Sequence, residues 1–411
     1  MFSIRLGLKN LSRQKRRNII TILIIGFAFF GYLFIESLMN GMLDMSVDNI
    51  RNFETGDIQI AHPAYWKERE DFHLEHLIVW NEGLEERLMQ IEGVIGISPE
   101  LRFSANLNNG VDEMGVIGLG IAPGKYQDVF QTHDYFTEGA MSVLDQNQAV
   151  IGKKLAELMD LEINDYIILL IRTREDTFNT IDVEIGGIVN TLNPMVNNST
   201  VFVPLELAQE RLNAGNGITT FSLKTSTDRE DQLIQSINNS LQAENLPLEA
   251  YSWRDSAQDM IAYSRVEKQA VAAMMSVVLL IGIVGIINNI VLSSLERKSE
   301  IGMMKALGMR EWEIVFVFMV ESAGIGILGG LAGCLMGIVG VSYLVNRGFY
   351  FAFYGDWSKY GIPIIDRIYG NWNWPTFSYI FLLSVFVAIL SSIFPAYWAA
   401  HKDPVEAIYH R

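Results

Sequence analysis

Four long apolar runs divide this chain, and between the first two the pattern shifts to short alternating stretches broken by charged turns. The runs occupy 18–40, 265–295, 314–346 and 377–400, and each exceeds the roughly 20 residues that carry a helix across a bilayer core. The third is long enough to tilt or to project beyond the hydrocarbon. The first reads IITILIIGFAFFGYLFI and runs on into Glu36-Ser-Leu-Met-Asn-Gly with no small-x-small cleavage pattern. That predicts a retained anchor, not a cleaved leader.

Segment 41–264 has the period of folded α+β structure. Strands are predicted at Gly56–Ala61, Glu113–Ile121, Tyr166–Thr173, Thr180–Val189, Thr200–Val203 and Thr219–Lys224. Helices are predicted at Glu82–Ile91, Lys153–Met159, Leu205–Leu212 and Asp228–Gln242. The expected fold is therefore a membrane α-helical protein with four transmembrane helices. A large extracytoplasmic α+β domain, of one or two lobes, stands between helices 1 and 2.

Charge orients this plan. Arg5, Lys9, Arg13, Lys15, Arg16 and Arg17 precede the first run without an acid among them, which places 1–17 in the cytoplasm. Four crossings then put 296–313 and 401–411 inside as well, with 41–264 and 347–376 outside. The large outer segment holds 14 Lys and Arg against 36 Asp and Glu, a net of −22. So acidic a domain argues against nucleic acid and anionic lipid as its partners. Cys334 is the single cysteine, so no disulfide forms within the chain, and it is expected to fill space in the third span.

The segment Ser294–Arg310, SLERKSEIGMMKALGMR, is polar sequence squeezed between two spans, so it must lie at a water interface. It predicts one amphipathic helix, with Ile301, Met304 and Leu307 along one side and Glu300, Lys305 and Arg310 supplying charge. Gly302 lies within it, and Gly308 is placed to end it. In the third span Gly326, Gly329, Gly330, Gly333 and Gly337 repeat at four-residue spacings, a pattern for close helix packing in the bundle or between chains. Glu321 is an ionisable group in that span, and a nearby basic partner is the expected arrangement. Tyr360, Trp372 and Trp374 suit an outer aromatic belt. Phe27, Phe29, Phe30, Tyr32 and Phe34 of the first span either face lipid or line a path for acyl chains. His62-Pro-Ala-Tyr-Trp66 offers either a contact surface or ordinary packing. His62, His73, His76 and His133 match no ligand template, so no metal is expected. No hydrolase or phosphate-loop motif occurs, so no catalytic residue is assigned.

Several stretches resemble the FtsX-like/MacB-type family of ABC transporter permeases. They are Asn288-Asn289 with Ser294 to Gly308, and Glu321 with Leu328-Gly-Gly-Leu-Ala-Gly333. Pro395-Ala-Tyr-Trp-Ala-Ala-His-Lys-Asp-Pro404-Val-Glu-Ala-Ile408 is similar to the family's ending. Ala149 to Ala156 and Val201 to Ala208 are similar to its periplasmic core. Thr55-Gly-Asp-Ile-Gln-Ile60 is closer to the lipoprotein-releasing LolC/LolE kind. The resemblance implies a bacterial inner-membrane permease, dimeric with an identical or related chain, surrounded by membrane lipids and driven by a separate cytoplasmic ATPase. ATP and Mg would bind that partner, so no cofactor is expected in this chain. A fused-ATPase subtype is not expected, since seventeen residues precede the first run. Residues 300–308 would couple to the ATPase. Lipoprotein release, with a periplasmic carrier, is the expected function. The alternative is a regulatory protein that activates an external hydrolase and transports nothing.

Overall fold

The computed structural model describes residues 2–11, 13–226, 229–350 and 367–401. Tyr360, Asp228 and residues 402–408 of the C-terminal pattern lie outside them. The chain begins with α1 (Phe2–Leu11) and α2 (Lys15–Ile50), followed by β1 (Ile58–Ala61), α3 (Pro63–Lys67), β2 (Ile78–Val79), α4 (Glu82–Met89), β3 (Val94–Asn108) and β4 (Glu113–Ile121). Next come α5 (Pro123–Val129), β5 (Phe136–Glu138), β6 (Ala149–Gly152), α6 (Lys153–Met159), β7 (Tyr166–Arg172), β8 (Phe178–Val189), α7 (Pro194–Ser199) and β9 (Thr200–Pro204). After α8 (Leu205–Arg211), β10 (Gly217–Ile218), β11 (Thr220–Thr225), α9 (Glu230–Ala243), β12 (Glu249–Ser252) and α10 (Trp253–Ser256), the chain enters α11 (Gln258–Glu296). It finishes with α12 (Lys298–Ala306), α13 (Glu311–Arg347), the short pair β13 (Phe349–Tyr350) and β14 (Arg367–Ile368), and α14 (Trp374–Ala400).

These elements form two compact units. One comprises Asp44–Ala262, the other the remaining described residues. Asp44–Ala262 is not divided into lobes. Its ten-stranded mixed sheet runs β12-β1-β11-β3-β4-β9-β6-β8-β5, with β7 bridging β3 and β8. Strand alternation sends successive side chains to opposite faces, and here both faces are covered. Val150 lies opposite Phe202, and Ile151 opposite Val201. Val150 and Phe202 join Tyr126, Phe130 and Met141 in one buried cluster. Ile151 and Val201 join Leu101, Phe103 and Phe221 in another. Because β6 and β9 are buried on both sides, they are continuous apolar runs with no polar alternation.

The longest strand, β3, was not predicted. Its run Gly96-Ile-Ser-Pro-Glu-Leu-Arg lacks clean alternation because it carries a buried charge pair. Arg102 Nε and Nη2 donate to Glu100 Oε2 at 3.1 and 2.9 Å, and Nη2 also donates to the carbonyl of Glu54. Desolvation pushes the Glu100 carboxyl above the usual carboxylate range, with Arg102 opposing that shift. The same contact ties β3 to the residues that follow α2.

Tyr65 and Trp66 are buried, and Trp66 stacks on Tyr251 with centroids 4.0 Å apart, so the His62–Trp66 segment packs inward. His62 Nδ1 accepts the Ala64 N–H at 3.2 Å, capping α3, and its ring stacks on His76 at 4.9 Å. Parallel rings cannot aim their in-plane lone pairs at one ion. Among the described residues no three metal-ligating side chains gather.

Among the described residues the other unit holds four helices long and apolar enough to cross a membrane, α2, α11, α13 and α14. The predicted spans lie inside longer helices, so α2 begins at Lys15 and continues to Ile50. The basic N-terminus is largely the helix α1. Its Gly7 packs against the backbone of α13, where an added Cβ would lie 2.9 Å from the Val317 carbonyl oxygen. Cys334 is half-buried and packs against the bundle core. Phe29 is buried, whereas Phe27 faces outward. Trp372 and Trp374 stack with centroids 4.8 Å apart.

Burial, with His76 adding to it, lowers the His62 pKa. The folded state therefore binds the proton less well than the unfolded chain. The cap contributes fully above the ordinary histidine value and is lost as pH falls from there through the lowered folded-state value. Hydrogen exchange should show protection at Ala64 and Tyr65 declining between pH 7.5 and 5, after correction for intrinsic rates. His62→Asn, which keeps an acceptor at the cap, should remove that decline.

Candidate coupling site

The segment between α11 and α13 is not one helix. Ser294–Glu296 complete α11, Arg297 breaks the run at φ −108° and ψ 23°, and the short helix α12 follows. The break has a specific cause. Arg297 turns inward and Nη1 donates to Glu321 Oε2 of α13 at 3.3 Å, with both side chains almost wholly buried. Asn10 of α1, its carboxamide oxygen turned to the guanidinium, accepts from the same nitrogen at 2.7 Å and donates to the Leu6 carbonyl at 3.3 Å. Glu321 thus has the basic partner expected of it. The ion pair joins α1, the α11–α12 break and α13 at one point.

A second polar layer lies beside it. Asn289 Nδ2 donates to Asn18 Oδ1 at 3.1 Å and to Thr21 Oγ1 at 3.4 Å. Arg17 Nε donates to Asn289 Oδ1, and Asn18 Nδ2 donates to the Leu11 carbonyl at 3.0 Å. The four side chains come from two sequence regions about 270 residues apart, yet they close one network where α2 starts and α11 ends. Nearer the surface, Arg13 Nη1 meets Glu300 Oε1 at 2.9 Å, and Arg17 Nη1 meets Glu296 Oε2 at 3.4 Å.

The far end of α12 is closed by geometry. Gly308 has φ +89°, a left-handed conformation that favours glycine, and Met309 N–H returns to the Met304 carbonyl at 3.0 Å. Glu313 Oε2 then accepts the Arg310 N–H at 2.8 Å, starting α13. Lys305 Nζ pairs with Glu311 at 3.5 Å.

Of the residues predicted here, Ile301 and Gly302 are buried and Met304 packs partly against the bundle core. Leu307 does not share their face. It follows the last helical residue and is 85% exposed. A spacing of three in a helix of 3.6 residues per turn drifts by about 60° each step, so Leu307 ends about 120° from Ile301. The outward face consists instead of Ser299, Met303, Ala306 and Leu307. Met303, at 57% exposed, belongs to the site and was missed, though its four-residue offset from Leu307 was available in the sequence. Arg297, Arg13 and Asn10 were also missed, because nothing in their local spacing points across to α13 or α1.

The glycine row splits between two neighbours. A Cβ on Gly326 would meet Ala388 Cβ at 2.8 Å, and one on Gly330 would strike the Ser384 hydroxyl, both on α14. On Gly329 it would meet Ile25 Cγ2 at 2.8 Å, and on Gly333 Phe29 Cβ at 2.8 Å, both on α2. Gly337 faces Leu33 and Phe377. These glycines serve packing within the chain, with Ser384 Oγ donating to the Gly326 carbonyl at 3.0 Å across the α13–α14 contact.

Comparison with known families and proteins bears on this arrangement. The FtsX-like permease C-terminal family matches residues 272–404, and the MacB-like periplasmic core domain family matches residues 19–240. An uncharacterized ABC transporter permease of Methanocaldococcus jannaschii is 25% identical over 70% of this chain and 68% of its own. The macrolide export ATP-binding/permease protein MacB 2 of Aeromonas hydrophila is 23% identical over 98% of this chain, which spans 60% of that protein's length. The lipoprotein-releasing system transmembrane protein LolC of Xylella fastidiosa is 21% identical over 77% of this chain and 78% of its own. The periplasmic region of MacB from Actinobacillus actinomycetemcomitans aligns at a TM-score of 0.37 and 16% identity, covering 52% of this chain and 96% of that one.

Breaking a buried ion pair by removing one member costs about 3–5 kcal/mol, while replacing both by apolar side chains is often nearly neutral. Arg297→Met alone and Glu321→Leu alone should each sharply lower the melting midpoint of the purified protein. The double substitution should recover most of the loss. Additive losses in the double variant would show that the pair does not hold the junction.

Proposed function

The chain belongs to the FtsX-like, MacB-type family of ABC transporter permeases, and we propose that α12 is the surface on which a separate ABC ATPase acts. One observation carries this reading: a nine-residue helix held between two apolar helices, tied inward by Arg297 and Ile301 and presenting Met303, Ala306 and Leu307 outward. An apolar ridge at a water interface is stabilised by a protein partner, and family members work with such an ATPase. The basic residues of α1 and the start of α2 support placing this end in the cytoplasm. Motion pressed on α12 would pass through the buried ion pair to α13 and through Asn289 to α2, because neither junction tolerates an unpaired charge or amide.

The dimer and the cargo belong to the same proposal. On α11, Met274, Val277, Ile281 and Val284 form an exposed helical stripe suited to a second permease chain. Lipoprotein release from the outer leaflet is the favoured task, supported by the sequence similarity to LolC of Xylella fastidiosa.

The chain is to be purified from native membranes after mild crosslinking and assayed for ATP hydrolysis by phosphate release. Wild type should retain a co-purifying ATPase whose activity is lost with Leu307→Asp or Met303→Asp, while both variants still insert and fold. Full activity in both variants would overturn the assignment of α12. An acylated protein bound to the wild type would support the cargo, and a bound cell-wall hydrolase in its place would refute it.

A further inference from the structure

Glu36 lies in α2 just beyond the apolar run, half-buried, and has no cationic partner among the described residues. Its Oε1 accepts from Asn40 Nδ2 at 2.7 Å, Asn373 Nδ2 at 2.7 Å and Thr376 Oγ1 at 3.3 Å. Oε2 accepts from none of the described residues. Asn373 is the N-cap of α14, so the carboxylate also faces the positive end of that helix. Every partner is neutral. Together they orient the charge without cancelling it.

One turn away, α2, α11 and α14 line a half-open apolar cavity of about 490 Å³ with no charged side chain in its wall. Phe29, Tyr32, Met275, Ile283, Tyr379 and Leu383 contribute to it. Tyr32 precedes Glu36 by four residues on α2, and Tyr379 follows Thr376 by three on α14. Residues three and four apart share a helix face, so on both helices the carboxylate stands directly beyond the tyrosines of the cavity rim. A structural tie between α2 and α14 needs an acceptor, and an amide oxygen would serve. The carboxylate adds a charge that its three neutral donors do not offset, where an incoming cation can meet it.

We propose that Glu36 and this cavity form a binding site for a cationic amphiphile, with an apolar tail lying among the three helices and a protonated amine on Glu36 Oε2. The cavity volume lies in the range of small-molecule sites. Tyr32 and Tyr379 offer ring faces that attract a cation beside the carboxylate. Charge complementarity selects the head group, and the uncharged wall accepts the tail. This goes beyond the action of an ATPase on α12 and does not rest on it.

The test is saturable binding of tritiated dodecylamine and tritiated dodecanol to the purified full-length chain in maltoside micelles, with no ATP or partner present. Failure therefore leaves the α12 reading untouched. Wild type should bind the amine about tenfold more tightly than the alcohol, the scale of one charge-assisted hydrogen bond. Glu36→Gln keeps an acceptor for Asn40, Asn373 and Thr376, so it should erase that preference without changing dodecanol binding. Ile283→Trp, which fills the cavity, should weaken both ligands. Equal affinities in wild type, or a preference that survives Glu36→Gln, would overturn the site. Binding unchanged by Ile283→Trp would place the tail elsewhere, and a dimer that excludes both ligands would assign the cavity to a second copy.

Discussion

The membrane unit depends on the buried contact between Arg297 and Glu321. Two charges removed from water repay their desolvation only when geometry is good and remaining donors find partners. Here Nη1 is shared with Asn10, so α1 joins the contact, while the buried Nη2 has no partner among the described residues. That inward side chain sits at the break between α11 and α12. The polar layer of Asn289, Asn18 and Arg17 works in the same way, using the high cost of an unsatisfied buried amide to fix helix register.

Away from these polar points, the bundle is held by closeness. Between helices in lipid there is little hydrophobic gain, so contact area and backbone approach decide packing. Gly326 and Gly330 admit α14, while Gly329 and Gly333 admit α2. A single helix, α13, therefore serves as the central post for two neighbours. α11 is different: its apolar stripe is left open, and it is attached chiefly where its polar end meets α1, α2 and α13.

Much of this was legible in the sequence, and the failures have physical reasons. Long apolar runs announce spans because composition alone decides them, and β4 matched its predicted limits because its apolar run stands between a polar turn and Pro123. β3 escaped because Pro99, Glu100 and Arg102 sit inside it, and only the tertiary partners of that charge pair make it a strand. A helix was expected between these two spans and α12 lies there, shorter than predicted, yet Leu307 was assigned to the wrong face. A three-residue repeat suggests a stripe while drifting steadily around the helix. The pairing of Glu321 with a basic residue was anticipated, but its identity was not, since Arg297 is brought there by a break in the helix that no local pattern reveals. His62 and His76, fourteen positions apart, stack through folding and not through spacing.

The clasp between Asn18 and Asn289 has a consequence for how the protein is made. A ribosome adding about 5–20 residues per second needs roughly 15–55 s to travel between them. Throughout that interval the newborn anchor holds Arg17, Asn18 and Thr21 at the bilayer edge without their eventual companions. Residues 58–61 wait similarly for the strand at 249–252 before their sheet can close. Biogenesis is thus staged, with the earliest segment inserted first and completed last.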